Sequence, residues 1–572
     1  MELGSHHRIK LVFTISRAQL LLVIIIFLSH FGQLEGATIN AKSVSLMDVR
    51  SAVASAKDGD TVAVPAGTAT WTSTLNINDN ITLQGAGAAS TIIVDEASQT
   101  RGKEPRESVK SRRTSTKHSV RKAVRRKTNA ATPKNVKPGG PGRQRPPLIS
   151  ISLKRDLPFR MTGFTFQGGT VNTQRTSNGE IRISGNSHSF RIDHCTFDKM
   201  HGTNLVTRGF LWGVIDHCQF NLTNDQPIRI GHETWNGGDH GNGSWADDPY
   251  WGSEKFIFIE DNVFKNSGSK RAIDASQGAR FVVRYNQFHN CVLSVHGTEG
   301  QGRGAKQVEE YNNTYRNDYA NPAGQIRSGS LITHDNKWGN VPKGHELQAY
   351  RQFHRSPHWG VANGQNPYDD NAPNGATGYW ETGKHTGPNG ATVLTDSTKN
   401  WAPNQWYVPG ATYIVRNITK EAARDFRQSF AIANTANTIT CSPLSFDRVT
   451  LTFNTGDTYQ IWKVVHSLDQ PGLGKGDLLR GLPGRPAKWP RQVTEPCYSW
   501  NNTALEDGTA RNLSSTEPSI KEGRDFFNGT PKPGYTPYIY PHPLVSGDRS
   551  PATKRADDQK QRRNAISSSS SN

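Results

Sequence analysis

Cysteine is scarce, with five in 572 residues. That fits no disulfide framework. Cys195 and Cys218 fall at equivalent places in a repeat, where buried thiols and a bridge are both open readings. Cys291, Cys441 and Cys497 have no metal-ligand spacing. Long apolar runs are scarcer still. The longest is Leu20-Leu21-Leu22-Val23-Ile24-Ile25-Ile26-Phe27-Leu28, too short to span a bilayer. Behind Arg8, Lys10 and Arg17 it reads as the core of a signal peptide over 1–37, so the expected location is secreted, extracellular or periplasmic. No later stretch is apolar enough for a membrane span. Apolar residues make up only 34 % of the chain, beside 54 glycines and 31 prolines, which is what many tight turns around a narrow core produce.

Acidic residues are also outnumbered, 49 against 68 Lys and Arg, for a net charge of +19. The excess is local. Residues 101–145 hold 16 Lys and Arg against Glu104 and Glu107, a local +14. This stretch, within an insertion over 99–147, has almost no apolar content and reads as a disordered excursion between two strands. It is either a solvated loop or an electrostatic capture arm for an acidic polymer. Aromatic residues are not interleaved with the basic ones, so no specific nucleic-acid role is expected.

What the chain has in abundance is self-similarity. A β-rich run ending in Asn or Cys, one residue, then an aromatic returns at Cys195-Thr196-Phe197, Cys218-Gln219-Phe220, Asn262-Val263-Phe264, Asn286-Gln287-Phe288, Asn313-Thr314-Tyr315 and Asn336-Lys337-Trp338. The aromatics are 23, 44, 24, 27 and 23 residues apart. The long step is two ordinary steps, or one step carrying an insertion. Such a period marks a solenoid. Its units are β-branched and aromatic with Gly, Asn and Ser between them, as in Phe256-Ile257-Phe258-Ile259. About 23 residues hold three short strands and three corners. The expectation is a single-stranded parallel β-helix, all-β, with one column of stacked aromatics and one of stacked Asn and Cys.

Residues 46–56 read as a short amphipathic helix capping the open end of the solenoid. The β-helix is assigned to 38–375. Residues 376–465 break the rhythm and read as a small inserted β module. Residues 466–548 return to the coil at Tyr498-Ser499-Trp500-Asn501-Asn502-Thr503 and close the body. Residues 549–572 read as a disordered tail.

The capping helix followed by Asp58-Gly59-Asp60-Thr61-Val62-Ala63-Val64-Pro65-Ala66-Gly67-Thr68 and Ile81-Thr82-Leu83-Gln84-Gly85-Ala86-Gly87 resembles the opening of pectin-lyase-like proteins. The turns of Asp193–Phe197, Asp216–Phe220 and Glu260–Phe264 resemble their coils. The likeness implies a right-handed β-helix. The order Ile228-Arg229-Ile230-Gly231, Glu260-Asp261-Asn262-Val263-Phe264, His296-Gly297 is similar to the chondroitinase B and alginate-lyase group. That resemblance implies a lysine base, an arginine acid and acidic Ca²⁺ ligands. This chain departs from it at Ala275-Ser276-Gln277-Gly278, which lacks the lysine. The Asn-x-Asp, Asp-Asp, Gly-His-Gly, Arg-x-Lys series of polygalacturonases is missing.

The candidate chemistry therefore concentrates in 229–303. Asp274 and His296 are 22 residues apart, about one coil. His296 is assigned as base, with Arg303 and Arg271 stabilising charge. Arg229, His232, Trp235, Arg284 and Trp251 are assigned to substrate binding. Asp274 and Glu299 are the candidate Ca²⁺ ligands. The expected activity is β-elimination on an acidic, uronate-containing polysaccharide by a monomer. A non-catalytic glycan-binding or adhesion protein is the alternative. A hydrolase using Asp247/Asp248 or Glu233/Asp274 is a second. For the basic stretch, deleting 101–145 should leave the folded body intact and weaken salt-sensitive binding to polyanions, measured by thermal melting and salt titration. Unchanged binding would remove the capture role.

Overall fold

The computed structural model describes residues 36–97, 146–170, 179–223, 225–265, 271–298, 302–320, 323–349, 359–360, 379–407, 412–420, 427–442, 450–464, 466–479, 491–517 and 519–546. The signal-peptide core, the basic stretch 101–145, Glu299 and the tail 549–572 lie outside the described residues.

The chain is a parallel β-helix. Three ladders of parallel strands wrap one core. The first face runs from Thr38–Asn40 through Thr61–Val64, Thr82–Gly85 and Phe159–Thr162, and on through Ile257–Glu260, Arg280–Arg284, Gln307–Tyr311 and Ser330–His334 to Cys497–Trp500. The second joins Leu75–Ile77, Ile149–Leu153, Ile228–Gly231, Arg271–Ser276, Val292–Val295, Gly324–Ile326 and Glu346–Leu347. Two long strands, Ile181–Asp193 and Leu205–Asp216, bend at a register shift and belong to both faces. The third face carries the aromatics, from Gly67–Trp71 to Thr503–Ala504.

The aromatic column forms as its spacing predicts. Phe197, Phe220, Phe264, Phe288 and Tyr315 stack face to face, with ring centroids 4.5–4.9 Å apart. Trp338 ends the file edge-on at 5.9 Å. Phe220 pairs directly with Phe264, so the 44-residue step is one coil with an insertion. That insertion carries a short helix, Asn242–Ala246.

Beside it runs the asparagine column. The backbone N–H of Asn262, Asn286, Asn313 and Asn336 each donates to the side-chain oxygen of the next Asn, ending at Asn502, over 2.9–3.1 Å. The Nδ2 of Asn286 also donates to the carbonyls of Ile259 and Arg284. Preceding each Asn is a residue at positive φ, such as Asp261 (57°) and Tyr285 (57°). Each side chain thus pairs polar groups that the corner strips from the strand ladders. The cysteines are not bridged. The thiols of Cys195 and Cys218 turn to the carbonyls of Met161 and Ile192, one coil back, at 4.0 and 3.8 Å.

Ser45 caps the N-terminal helix Leu46–Ser55 by accepting from the N–H of Asp48, and Val49, Ala52 and Val53 face the core. Asn502 follows its neighbour Asn336 by 166 positions in the chain. Within them, Glu381–Lys384, Thr458–Val464, Thr412–Asn417, Gln428–Asn434, Thr438–Cys441 and Val393–Thr395 build an antiparallel sheet with its own core around Trp401, Trp406, Phe453 and Tyr459. The chain then returns, and residues 535–545 strap down the outside of the first face. There Arg284, held by Glu260, donates to the carbonyls of Tyr538 and Ile539, and Arg191, held by Asp216, donates to those of Leu544 and Val545. On the second face, Arg229 and His296 remain partly exposed.

Asn286→Ala strips partners from the N–H of Asn262 and from two carbonyls at once. It should cost at least about 2 kcal/mol in denaturant unfolding. An unchanged midpoint would mean the column carries no load.

Candidate functional site

On the second face, alternate residues point outward. Register places Arg182, Val206, Arg229, Asp274 and Ser294 in one outward row. The adjacent outward row holds Ser184 and Arg208, then Gly231 and Ser276, and continues to His296, whose N–H donates to the carbonyl of Ala275. Where the rows meet, a cleft of about 190 Å³ is lined by Arg208, Arg229, Gly231, Ser276, Gln277, His296 and Arg303, among others.

Arg229 and His296, in the lining, are partly exposed, and Asp274, between them and one layer deeper, is buried. His296 Nε2 lies 2.9 Å from Asp274 Oδ1, and Arg229 reaches Asp274 Oδ2 at 3.4 Å. Burial alone would raise the Asp274 carboxyl; His296, then Arg229 and Arg327, outweigh it and hold the group below its usual range. A carboxylate kept ionised under an imidazole orients that ring and stabilises its cation.

The other assigned residues fare differently. The Arg303 guanidinium is buried in a two-pronged pair with Asp469, at 2.6 and 3.1 Å, and over the Trp245 ring. Its charge is spent on structure. Arg284 lies under the C-terminal strap, away from any groove. His232 accepts from the N–H of Arg280 at Nδ1, and its Nε2 meets the carbonyl of Leu211. Full burial pushes its pKa down to about 3, so it is a neutral core residue. Trp235 is buried against Arg280 and bonds Asp247, so its faces are closed to sugar. Trp251 donates to Glu495 and stacks on Phe256. Arg271 starts the strand of Asp274 beside Val292, outside the cleft lining.

Of the two candidate calcium ligands, Glu299 lies outside the described residues, and Asp274 already faces His296 and Arg229; among the described residues no three His, Cys, Asp or Glu side chains converge. The hydrolase pairs fit poorly. Asp247 is taken by Trp235 and Tyr250, Glu233 by Arg208, and a depressed Asp274 cannot serve as the protonated acid.

Sequence reasoning missed Arg182, Arg208, Phe210 and Trp212. They belong to the two bent strands, whose period-two alternation sets Arg208, Phe210 and Trp212 on the outer side. Leu211, between the aromatics, is buried in the core.

No protein-family model matches the chain, and no curated protein does. Three solved structures align over slightly more than half of it. ORF18 of Geobacillus virus E2 is 16 % identical, with 57 % of each chain covered and a TM-score of 0.30. AlyGC, a PL6 family alginate lyase solved as a point mutant, is 13 % identical over 55 % of this chain and 41 % of its own, with a TM-score of 0.30. The A-module of the Azotobacter vinelandii mannuronan C-5 epimerase AlgE4 is 12 % identical over 56 % of this chain and 90 % of its own, with a TM-score of 0.24. The chain thus spans only about half the length of the first two.

Asp274 is ionised in the fold below the pH at which it protonates in the unfolded chain. Its contribution to stability is complete above about pH 4 and is lost as pH falls through its depressed folded value. The melting-temperature gap between wild type and Asp274→Asn should therefore be constant near neutrality and close below about pH 4. A gap that widens in acid would contradict the assigned pairing.

Proposed function

We propose that the chain cleaves an acidic, uronate-bearing polysaccharide by β-elimination on its second face. The observation that carries this reading is the His296–Asp274–Arg229 cluster, at 2.9 and 3.4 Å, in which His296 and Arg229 line the second-face cleft and Asp274 lies buried behind them. His296 Nε2 lies 2.9 Å from Asp274 Oδ1, and the base is the neutral imidazole with its lone pair on Nδ1. That nitrogen takes the proton from C5 of the uronate. The electron pair forms the C4=C5 bond, the C4–O4 bond breaks, and O4 leaves with a proton from the imidazolium or from water. Arg229 lies beside the dyad, where a guanidinium offsets the charge that grows on the uronate carboxylate. Asp274 positions the ring and compensates its positive charge.

Binding without turnover is the second reading. It is favoured by the Asp469 pairing of Arg303, which leaves Arg229 as the cation nearest the dyad.

Incubation with a panel of uronate polymers should release unsaturated ends absorbing at about 235 nm. His296→Ala should abolish that signal. Arg229→Ala should lower kcat/KM by about 10²-fold or more. Wild-type turnover by His296→Ala removes the base. New reducing ends without absorbance mean hydrolysis, and retained binding with neither signal means a binding protein.

A further inference from the structure

The cleft around the dyad is one end of a longer basic platform. Arg182, Arg208 and Arg229 project from three successive coils on the N-terminal side of His296. Neighbouring coils are about 4.8 Å apart, so Arg182 and Arg229 span roughly 10 Å. Acidic partners are few. Glu233 reaches Arg208 only at 3.4 Å, and Asp274 reaches Arg229 at the same distance. The buried Nε of Arg182 has no hydrogen-bond partner among the described residues. The Arg208 guanidinium is pushed below its ordinary value, first by burial and then by Arg182 and Arg229, despite Glu233. Three guanidiniums gathered like this repel one another, and an incoming anion relieves that repulsion.

The platform also has an apolar floor. Phe210 is partly exposed, yet it is fixed edge-on against His188, Trp212 and Trp235, with centroids 4.8–5.3 Å apart. His188 stacks on Trp212 and is tied to Asp156 at 2.6 Å. Asn186 pairs with Phe210 across the two bent strands. Its side-chain oxygen and the Trp212 Nε1–H are buried without protein partners among the described residues. A rigid ring beside spare donors, an acceptor and guanidiniums is complementary to a sugar that has an apolar face, hydroxyls and a carboxylate.

We propose that Arg182, Arg208 and Phe210 form an extended subsite for a second uronate of the same polymer, N-terminal to the dyad, so that the polymer lies along the solenoid axis. This rests on the second-face reading above and adds direction and length. It makes the protein a recogniser of oligomers, with short fragments reaching only the dyad.

The test uses the full chain and its Arg182→Gln variant, with Arg208→Gln as a second variant. Calorimetry measures binding of galacturonate and mannuronate oligomers of two and six residues, and of the carboxyl-reduced hexamers. The acidic hexamer that wild type binds should lose about tenfold in affinity in each variant. The dimer should bind wild type and Arg182→Gln alike, and the reduced hexamer should bind wild type and both variants alike. Equal hexamer affinity in wild type and Arg182→Gln overturns the subsite, as does failure of wild type to bind either acidic hexamer. An equal loss with the reduced hexamer overturns the carboxylate assignment. Turnover is read separately: a flat absorbance trace beside a tenfold binding loss sinks the elimination mechanism and leaves the subsite standing.

Discussion

The whole body depends on how each coil turns its corner. A parallel strand that bends sharply exposes N–H and C=O groups that the next coil cannot pair, because both chains turn at once. Here one residue at positive φ makes the bend, and the following Asn fills the space inside it. Its amide bonds the coil before and the coil after, so each corner from Asn262 to Asn502 fixes the height and register of its neighbours. With register set there, the aromatic beside the Asn lands on the preceding aromatic. The strands of the second face are indexed as well. The catalytic proposal needs that precision, because His296 meets Asp274 only when adjacent coils are in step.

The column also explains how the chain carries large excursions. The coil leaves after Trp338, builds an antiparallel sheet, and returns so that Asn502 bonds Asn336 across 166 residues. The same logic holds for the insertion between Phe220 and Phe264. A loop of any length is tolerated if its ends meet at a bonded corner, since loop-closure entropy grows only slowly with length. The insertion buries its tryptophans: Trp245 donates to the carbonyl of Gly304 and lies under Arg303. It therefore buttresses the wall of the cleft and offers no stacking surface.

What was legible in the sequence follows from this. Asn, Cys and aromatic positions repeat because their surroundings repeat, so the fold and both columns were readable from spacing. Asp274 and His296 were readable for the same reason, being one coil apart. Arg303, Arg284 and His232 were not. Their partners are Asp469, the strap at Tyr538 and Ile539, and the carbonyl of Leu211, none of which sits at the repeat distance. A charged residue in a solenoid can serve the groove or anchor a returning segment, and its own sequence looks the same in both cases. Arg182 and Arg208 escaped because the long strands bend between two faces, and the residues that surface along them depend on where that bend falls.

The most direct test is a crystal structure of the His296→Ala chain soaked with a uronate hexamer. The account predicts an oligomer along the second face, one carboxylate at Arg229 and the chain running toward the N-terminal cap. An oligomer seated on the third face or on the antiparallel sheet of 379–464, with the second-face cleft empty, would contradict it.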